Sequence, residues 1–269
     1  MVGDPGSRPK DRRVQIKVPP RGSPSVARAV AILNLLAQRP GGWSLTQIAS
    51  ALGLAKSSTL AIIASLEANG LVSRADNSYE LDIGVLTPAG GFLRGVDIVT
   101  LFRRQFGSSG LLSGEIGHLA SRAGDEVIFL ARYLGRQQLP VTAGVGDRFP
   151  ASITAVGTAL LAELTDEQII ELYRDADFPR WTTDSTGDID RLLAKAADTR
   201  RLGYAVDRGE THPNVLGFAL VVHRAGDHVQ DLAVGCSMQL DQTCPERQES
   251  AVAELHRIRA ALENGNELR

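Results

Sequence analysis

The chain has 269 residues, 43% hydrophobic and 22% charged, with a net charge of −2 at pH 7. This is the composition of a globular protein long enough for two domains with separate cores. No apolar run approaches the roughly 20 residues that span a bilayer, and no secretory signal is visible. The two cysteines, Cys236 and Cys244, suit reduced thiols, so we expect a cytoplasmic protein without membrane contact.

Charge is distributed unevenly along the chain. Residues 1–84 contain ten Lys or Arg against six Asp or Glu, a net of +4, whereas the remainder has 19 against 25. The first 22 residues place basic side chains among Gly, Pro and Ser with little apolar content, which predicts a disordered basic arm. Such an arm either lies along the backbone of a nucleic acid or is an inert tail.

A capped helix is predicted directly after Trp43. Ser44 and Gln47 have the spacing of a capping box, and Trp43 and Ile48 occupy the positions of a hydrophobic staple. Gly53 follows where the helix must end, because glycine takes a left-handed C-cap without a Cβ penalty. The apolar positions recur at helical spacing: Leu45, Ile48, Ala49 and Leu52.

A second helix is predicted from about Lys56 to Asn69, ended by Gly70. Its buried stripe consists of Thr59, Ile62, Ile63 and Leu66. Two helices joined by a tight glycine turn are typical of a helix-turn-helix, whose second helix enters the major groove of DNA.

The flanking segments predict a winged helix. Upstream, an amphipathic helix ends at residues 40–42 and has the apolar stripe Val26, Ala29, Val30, Leu33 and Leu36. Downstream, strand-like residues 71–74 and 79–81 bracket a polar turn at 75–78, as in a β-hairpin. Three helices followed by a hairpin are a far more specific pattern than a pair of helices.

Residues 87–91, Thr-Pro-Ala-Gly-Gly, are predicted to interrupt helical structure. A helix then follows near Phe92 to Phe106, with a stripe of Phe92, Val96, Val99 and Phe102. This stripe suits a linker helix that packs against its copy in a partner chain, although a plain surface helix would show the same pattern.

The C-terminal part mixes helices and strands. The pattern predicts helices at 111–122, 155–164, 165–174, 189–201 and 245–263, and strands at 126–133, 139–142, 204–206, 218–222 and 231–236. The fold class is therefore α+β, with a mostly antiparallel sheet and helices packed on it.

Several segments resemble the IclR family of bacterial transcriptional regulators. Residues 27–33, 42–45, 54–59 and 66–72 resemble its DNA-binding domain, and residues 154–162 and 201–207 resemble its effector domain. The likeness spans roughly residues 24–262 in the order and spacing of the family. It implies a ligand-responsive regulator, more often a repressor, that binds operator DNA as a dimer or a dimer of dimers. It also implies an effector domain similar to GAF and profilin-like domains.

The predicted organisation has four parts. A basic arm covers residues 1–22, a winged helix-turn-helix covers 23–84, a linker helix region covers 85–106 and an effector-binding domain covers 107–269.

The resemblance, together with the helix and wing pattern, predicts DNA contacts on the first domain. They are Arg28, Thr46, Lys56, Ser57, Ser58, Leu60, Arg74 and Asn77. At least one of Ser57 and Ser58 is expected to be an N-cap instead.

The recognition helix departs from the family at Leu60 and Ala61, where a His-Arg type of pair is common. Two alternatives follow. These side chains contact thymine methyl groups and favour A·T-rich operators, or Leu60 packs inward and specificity depends on the wing and the arm.

The resemblance places an effector site on Leu139, Ala155, Val156, Asp207, Gly217, Gly235 and Ser237. The typical Arg-Cys pair of the family is Leu216-Gly217 here, and a commonly hydroxylated position is Gly235. We expect these changes to make a larger and less polar pocket, suited to an aromatic catabolite rather than a two- or three-carbon acid. The alternative is a vestigial pocket.

The sequence contains no catalytic motif and no metal-ligand spacing. It lacks HExxH, GxSxG, Walker and complete GxGxxG motifs, and its five histidines are scattered. His223 and His228 are predicted on the surface beside a hairpin turn. No enzyme activity, cofactor or metal is expected. The alternative to a regulator is a small-molecule-binding protein whose winged helix serves dimerisation.

Overall fold

A computed structural model describes residues 22–38, 41–94, 98–136, 139, 143–223 and 231–264. The chain divides into two compact units, residues 1–96 and residues 97–269, which we describe separately. All but the last residue of the predicted basic arm lie outside the described residues.

Residues 22–81 of the first unit form three helices and a hairpin, and a fourth helix follows them. Helices α1 (Pro24–Leu36), α2 (Leu45–Leu52) and α3 (Lys56–Ala68) precede the antiparallel strands β1 (Val72–Ala75) and β2 (Ser78–Leu81). The predicted capping box at Ser44 and Gln47 and the left-handed Gly53 are confirmed. The common core consists of residues such as Ile32, Leu35, Ile48, Ile63, Val72 and Tyr79.

The stripe predicted for α1 is partly wrong. Val26 and Val30 are 62% and 51% exposed. The helix instead buries Ala31, Ile32, Leu35 and Leu36. Between residues 26 and 36 only Arg28 and Asn34 are polar, so apolar periodicity hardly distinguishes one face of this helix from another.

The predicted interruption at residues 87–91 is also wrong. A short 3-10 turn at Ile83–Val85 leads into helix α4 (Leu86–Arg94), which runs through these residues. Pro88 lies in the first turn of α4, where its missing N–H is tolerated. The glycines weaken the helix by about 1 kcal/mol each without ending it.

The segment from Phe92 to Phe106 is predicted as one helix, but its described parts belong to two helices. In the second unit, α5 (Ile98–Ser108) buries Ile98, Phe102 and Phe106, whereas Phe92 belongs to α4 and is 58% exposed. Residues 95–97, including Val96, lie outside the described residues.

The second unit contains a six-stranded antiparallel sheet, as predicted for the fold class. Its strand order is β5-β4-β3-β8-β7-β6. The strands are β3 (Ile116–Ala123), β4 (Glu126–Leu134), β5 (Arg148–Pro150), β6 (Ala205–Arg208), β7 (Val215–Val222) and β8 (Leu232–Gln239).

Helices cover both faces of this sheet. They are α6 (Ala155–Ala162), α7 (Asp166–Tyr173), α8 (Ile189–Leu202) and α9 (Pro245–Asn264), in addition to α5. Helix α6 packs on a face of small residues that includes Ala120, Ala219 and Ala233. On the opposite face, the ring of Phe106 from α5 covers Gly117, where a Cβ would lie 2.6 Å from the ring.

The helix predicted at residues 111–122 is wrong. A 3-10 turn at Leu112–Gly114 precedes strand β3. Residues 116–121 are all buried, so this strand has no alternation to separate it from a buried helix. The strand β5 was missed because three residues are too few for a pattern. Of the predicted strand at 139–142, Leu139 is not in a strand and the rest lies outside the described residues.

Within the described ranges, no single helix is long and apolar enough to cross a membrane. Helices α2 and α3 meet that test only as a pair, bent by 113° at their junction.

The corrected face of α1 makes a stability prediction. Ile32→Ala removes a side chain that is 0% exposed, so the free energy of unfolding should fall by about 2–5 kcal/mol. Asn34→Ala on the same helix is the matched control, because Asn34 is exposed, and should change it by less than about 1 kcal/mol. Urea unfolding monitored by circular dichroism measures both, and equal losses would contradict the assigned face.

Candidate DNA-binding surface and effector cleft

Helix α3 begins with an exposed polar turn. Its N-cap is Ala55, which makes no side-chain cap, so the expectation that Ser57 or Ser58 is the N-cap is wrong. Lys56 and Ser57 are exposed and Ser58 is half-buried. The backbone N–H groups of a helix start have no intrahelical partners and favour anions. The start of α3 therefore combines N–H donors, hydroxyls and a cation, as phosphate binding requires.

Leu60 and Ala61 are exposed on the same helix, with Leu60 at 47%. The alternative in which Leu60 packs inward is therefore wrong. An exposed apolar pair between polar turns can contact thymine methyl groups but cannot make the bidentate guanine contacts of arginine.

The wing places Arg74 and Asn77 on the surface. Asn77 lies in the turn between β1 and β2, next to Asp76, which has a φ of 52°. Arg74 donates from Nε to the Asp76 carbonyl at 3.2 Å, and its guanidinium lies 5.9 Å from the centre of the Tyr79 ring. These contacts hold a positive charge beside the tip of the wing.

The remaining predicted DNA contacts are also accessible. Thr46 is exposed in the first turn of α2, and Arg28 on α1 is half-buried. All eight predicted positions belong to the first unit.

In the second unit, the sheet and α6 enclose a cleft of about 440 Å³, including the part open to solvent. Asp207, Gly217 and Ser237 lie in one register row across β6, β7 and β8. Gly235 lies in the next row, opposite His118 on β3. Six of the seven predicted effector positions line this cleft, namely Ala155, Val156, Asp207, Gly217, Gly235 and Ser237.

Leu139 is the exception among the predicted positions. It is buried against Ile116 and Val215, and only Val215 also lines the cleft. Leu216 is fully buried but does not line the cleft either, because its side chain alternates to the opposite face from that of Gly217. The expectation that Leu216 makes the pocket less polar is therefore wrong.

The two glycines of the cleft act differently. A Cβ at Gly235 would lie 2.9 Å from both Val156 Cγ1 and the Phe218 carbonyl oxygen, so this glycine lets α6 pack close rather than opening space. A Cβ at Gly217 would lie 3.4 Å from the Cβ atoms of Ala155 and Asp207, at ordinary contact distance. Only Gly217 leaves space that a longer side chain would fill.

Asp207 is a buried acceptor in the cleft wall, 3% exposed. Its Oδ1 accepts from the Glu210 N–H at 2.8 Å, and its Oδ2 accepts from the Thr211 hydroxyl at 2.7 Å. Burial raises the pKa of Asp207 to about 6, although the Thr211 bond and the charge of Lys195 oppose the shift. Each carboxylate oxygen has a second lone pair that a ligand can use.

A buried ion pair fixes the turn that carries Asp207. Glu210 pairs with Lys195 of α8, and Lys195 also donates to the Ser152 carbonyl at 2.9 Å. The Thr186 N–H and hydroxyl donate to Glu210 Oε2 at 2.9 and 2.7 Å. The acceptor in the cleft is thus held by charge-assisted bonds from outside it.

The start of α6 supplies donors to the same cleft. Thr154 caps the helix by accepting from the Gly157 N–H at 3.1 Å. Ala155 and Val156 are the first two helical residues, so their N–H groups have no intrahelical acceptor. The cleft therefore has a donor side at α6 and an acceptor side at Asp207.

Sequence reasoning missed His118, which lines the cleft and is 9% exposed. Its ring lies edge-on to Phe129, with centroids 5.3 Å apart. Burial, assisted by the charge of Arg132, lowers the pKa of His118 to about 4, so the imidazole is neutral at pH 7. Among the described residues its Nδ1 has no hydrogen-bond partner. The aromatic wall of Phe129 and Phe149 was missed as well.

A winged helix-turn-helix whose exposed recognition helix begins with a lysine, followed by a domain with a bipolar cleft, defines a ligand-responsive DNA-binding regulator. The IclR helix-turn-helix domain matches residues 25–76, and the C-terminal domain of the bacterial transcriptional regulator IclR matches residues 91–263. The chain belongs to the IclR family of bacterial transcriptional regulators.

Known relatives are similar over most of their length. The transcriptional repressor AllR of Escherichia coli K12 is 25% identical over 220 residues, which cover 81% of this chain and 80% of AllR. An IclR transcriptional regulator from Alicyclobacillus acidocaldarius has a TM-score of 0.75 at 25% identity and covers 91% of this chain and 99% of its own.

A third relative shares the fold at lower identity. An IclR homologue of Microbacterium hydrocarbonoxydans, solved with 4-hydroxybenzoate, has a TM-score of 0.75 at 20% identity and covers 91% of this chain and all of its own.

The predicted family, fold class and regulatory function are confirmed, and the family is non-enzymatic. The alternative in which the winged helix serves only dimerisation is not supported, because the chain is a DNA-binding regulator of this family.

The raised pKa of Asp207 makes a pH prediction. Between the ordinary pKa of 3.8 and about 6, the folded state binds more protons than the unfolded state, so stability falls as pH rises. The loss amounts to about 3 kcal/mol from one group. Asp207→Asn should lack this loss, so its stability relative to the parent should increase between pH 4 and pH 7.5, measured by urea unfolding. Parallel pH profiles would contradict the assignment.

Proposed function

We propose that this chain is a repressor that binds operator DNA through α3 and the wing and responds to a small aromatic effector in the cleft. Repression is supported by the similarity to AllR of Escherichia coli, a transcriptional repressor, over four fifths of both chains. The observation that carries the effector part is the cleft between α6 and the sheet, with N–H donors on one side and the Asp207 carboxylate on the other.

The proposed DNA contacts divide by chemistry. Lys56, Arg74 and Arg28 contact phosphates. The sugar-phosphate backbone or the base edges are contacted by the hydroxyls of Thr46, Ser57 and Ser58 and by the amide of Asn77. Leu60 reads thymine methyl groups, which favours A·T-rich half-sites. The basic arm of residues 1–22 adds phosphate contacts beside the winged helix of residues 23–84.

The proposed effector has an acceptor group and a donor group on a planar body. The acceptor, a carboxylate or carbonyl, binds the N–H groups of Ala155 and Val156 and the hydroxyl of Ser237. The donor, a hydroxyl, binds Asp207, and the body packs on the aromatic wall. 4-Hydroxybenzoate, bound by the homologue from Microbacterium hydrocarbonoxydans, has these groups. Leu139 acts behind the wall of the cleft, which belongs to the effector-binding domain of residues 107–269.

The chain is proposed to self-associate, as a dimer or a dimer of dimers. The first unit exposes large apolar side chains in two places. Val26 and Val30 are exposed on α1, and Ile83, Leu86 and Phe92 are exposed within or next to the linker region of residues 85–106. Such a concentration of exposed apolar residues is typical of a protein contact.

Operator binding can be measured by fluorescence anisotropy on DNA from immediately upstream of the gene, with a scrambled duplex alongside. We expect the natural duplex to bind at least about a thousandfold more tightly. Lys56→Ala should weaken both and reduce the slope of log affinity against log salt by about 1, since one phosphate contact is lost.

Arg201→Ala is the matched control, because it removes one exposed positive charge from α8 in the other unit. It should leave the slope unchanged. An equal reduction in both variants would show that Lys56 acts only through net charge.

Effector binding can be measured by isothermal titration calorimetry. We expect 4-hydroxybenzoate to bind more tightly than acetate or pyruvate, because the short acids have no ring to pack on Phe129 and Phe149. Gly217→Val should weaken binding by about tenfold or more, since its side chain enters the space between Ala155 and Asp207. Gly110→Val is the matched control, since a Cβ at Gly110 meets nothing within 4 Å. Binding of only the short acids would overturn the aromatic effector.

A further inference from the structure

Three side chains from separate elements converge at the far end of α6 from the effector cleft. Glu163 is the C-cap of α6, His223 follows β7 and Asp231 precedes β8. His223 Nε2 lies 3.9 Å from Glu163 Oε2, and His223 Nδ1 lies 3.6 Å from Asp231 Oδ1. One ligand atom of each residue can be chosen so that all three lie within 4.8 Å of one another.

Neither distance is a direct contact, and the two distances run to opposite ring nitrogens, so a shared metal ion would use one nitrogen of His223 with one oxygen of each carboxylate. Both distances are too long for hydrogen bonds. Zinc bonds of about 2.0–2.2 Å in a tetrahedral site place neighbouring ligand atoms about 3.4 Å apart. The side chains of His223, Glu163 and Asp231 are 60%, 44% and 45% exposed, so small rotations can complete the geometry.

The surroundings of the cluster are electronegative. The Glu263 carboxylate accepts from the His223 backbone N–H at 3.1 Å, and the guanidinium of Arg259 lies 3.9 Å from Glu263. Arg200 donates to the carbonyls of Ala162 and Leu164, on either side of Glu163, and pairs with Asp166. Among these described residues, four carboxylates therefore stand against two guanidinium groups and one imidazole. A cation between Glu163 and Asp231 would remove their repulsion.

A second cleft adjoins the cluster, with a volume of about 560 Å³ including its open part. Glu163 and His223 form part of its wall. The cleft leaves room for water as a fourth ligand, as in zinc sites with three protein ligands.

We propose that Glu163, His223 and Asp231 bind a divalent transition-metal ion. An imidazole with two carboxylates selects Zn²⁺ over Ca²⁺ or Mg²⁺, which prefer oxygen ligands alone. The bound ion ties the C-terminal end of α6 to the ends of β7 and β8. Sequence reasoning, which predicted no metal, missed this site because its ligands are 60 and 8 residues apart and only the sheet brings them together.

The test is a calorimetric titration of the metal-free full chain, without an affinity tag, with ZnCl₂. All variants contain Cys244→Ser, because the exposed free thiol of Cys244 is itself a zinc ligand. We expect one Zn²⁺ per chain, with affinity reduced about tenfold or more by His223→Gln. His256→Gln on α9 is the matched control, since it removes an imidazole outside the cluster.

A second measurement uses Co²⁺, whose visible absorption bands report tetrahedral coordination by the protein. The visible bands should appear in the parent and in His256→Gln and be absent in His223→Gln. Equal zinc isotherms for the parent and His223→Gln, whether both bind or neither binds, would overturn the proposal. So would equal losses in the two histidine variants. Operator binding is measured separately, so failure here leaves the proposed repressor function standing.

Discussion

The close packing of α6 on the small-residue face of the sheet determines the geometry of the second unit. Gly235 has no Cβ, which leaves room for the side chain of Val156. A Cβ at Gly157 would lie 2.4 Å from the Ala151 Cα. With a larger side chain at Gly235, the helix would have to move away from β7 and β8, and one at Gly157 would clash with the 3-10 turn that precedes the helix. The first N–H groups of α6 would then lose their position opposite Asp207. The cleft is therefore a product of helix-to-sheet distance more than of the side chains that line it.

Electrostatic interactions then determine how the polar groups of the cleft are held. Asp207 is an unfavourable buried acid that is kept in place by donors on both oxygens and by the Glu210–Lys195 pair behind it. Burial also disfavours the charged form of His118, so its imidazole is neutral at pH 7. A buried imidazole with an unpaired nitrogen lowers stability unless a ligand supplies the missing partner, and each oxygen of Asp207 keeps a second lone pair for a ligand. This is the expected character of a site whose polar groups serve binding.

Local signals in the sequence were sufficient for much of the fold. The capping box at Ser44, the left-handed Gly53 and the hairpin turn at residues 76–77 depend on neighbours within four residues, and all three could be predicted. The exposed face of α1 and the strand β3 could not be predicted, because α1 is apolar almost throughout and residues 116–121 of β3 are buried without alternation. Only tertiary packing selects their state. His118 and the cluster around His223 depend on which strands become neighbours, which no local pattern reveals.

The wing lies far along the sequence from the start of α2 but is hydrogen-bonded to it. Trp43 and Tyr79 exchange two backbone hydrogen bonds of 3.0 and 2.9 Å, so the residue before the capping box forms a one-residue β-bridge with the hairpin. These bonds tie the wing to the helix-turn-helix and limit how far α3 and the tip at Asn77 can move apart. In the proposed operator complex, the DNA would match that span by its own groove width and bending. Part of operator selection then falls to the deformability of base steps that no side chain touches.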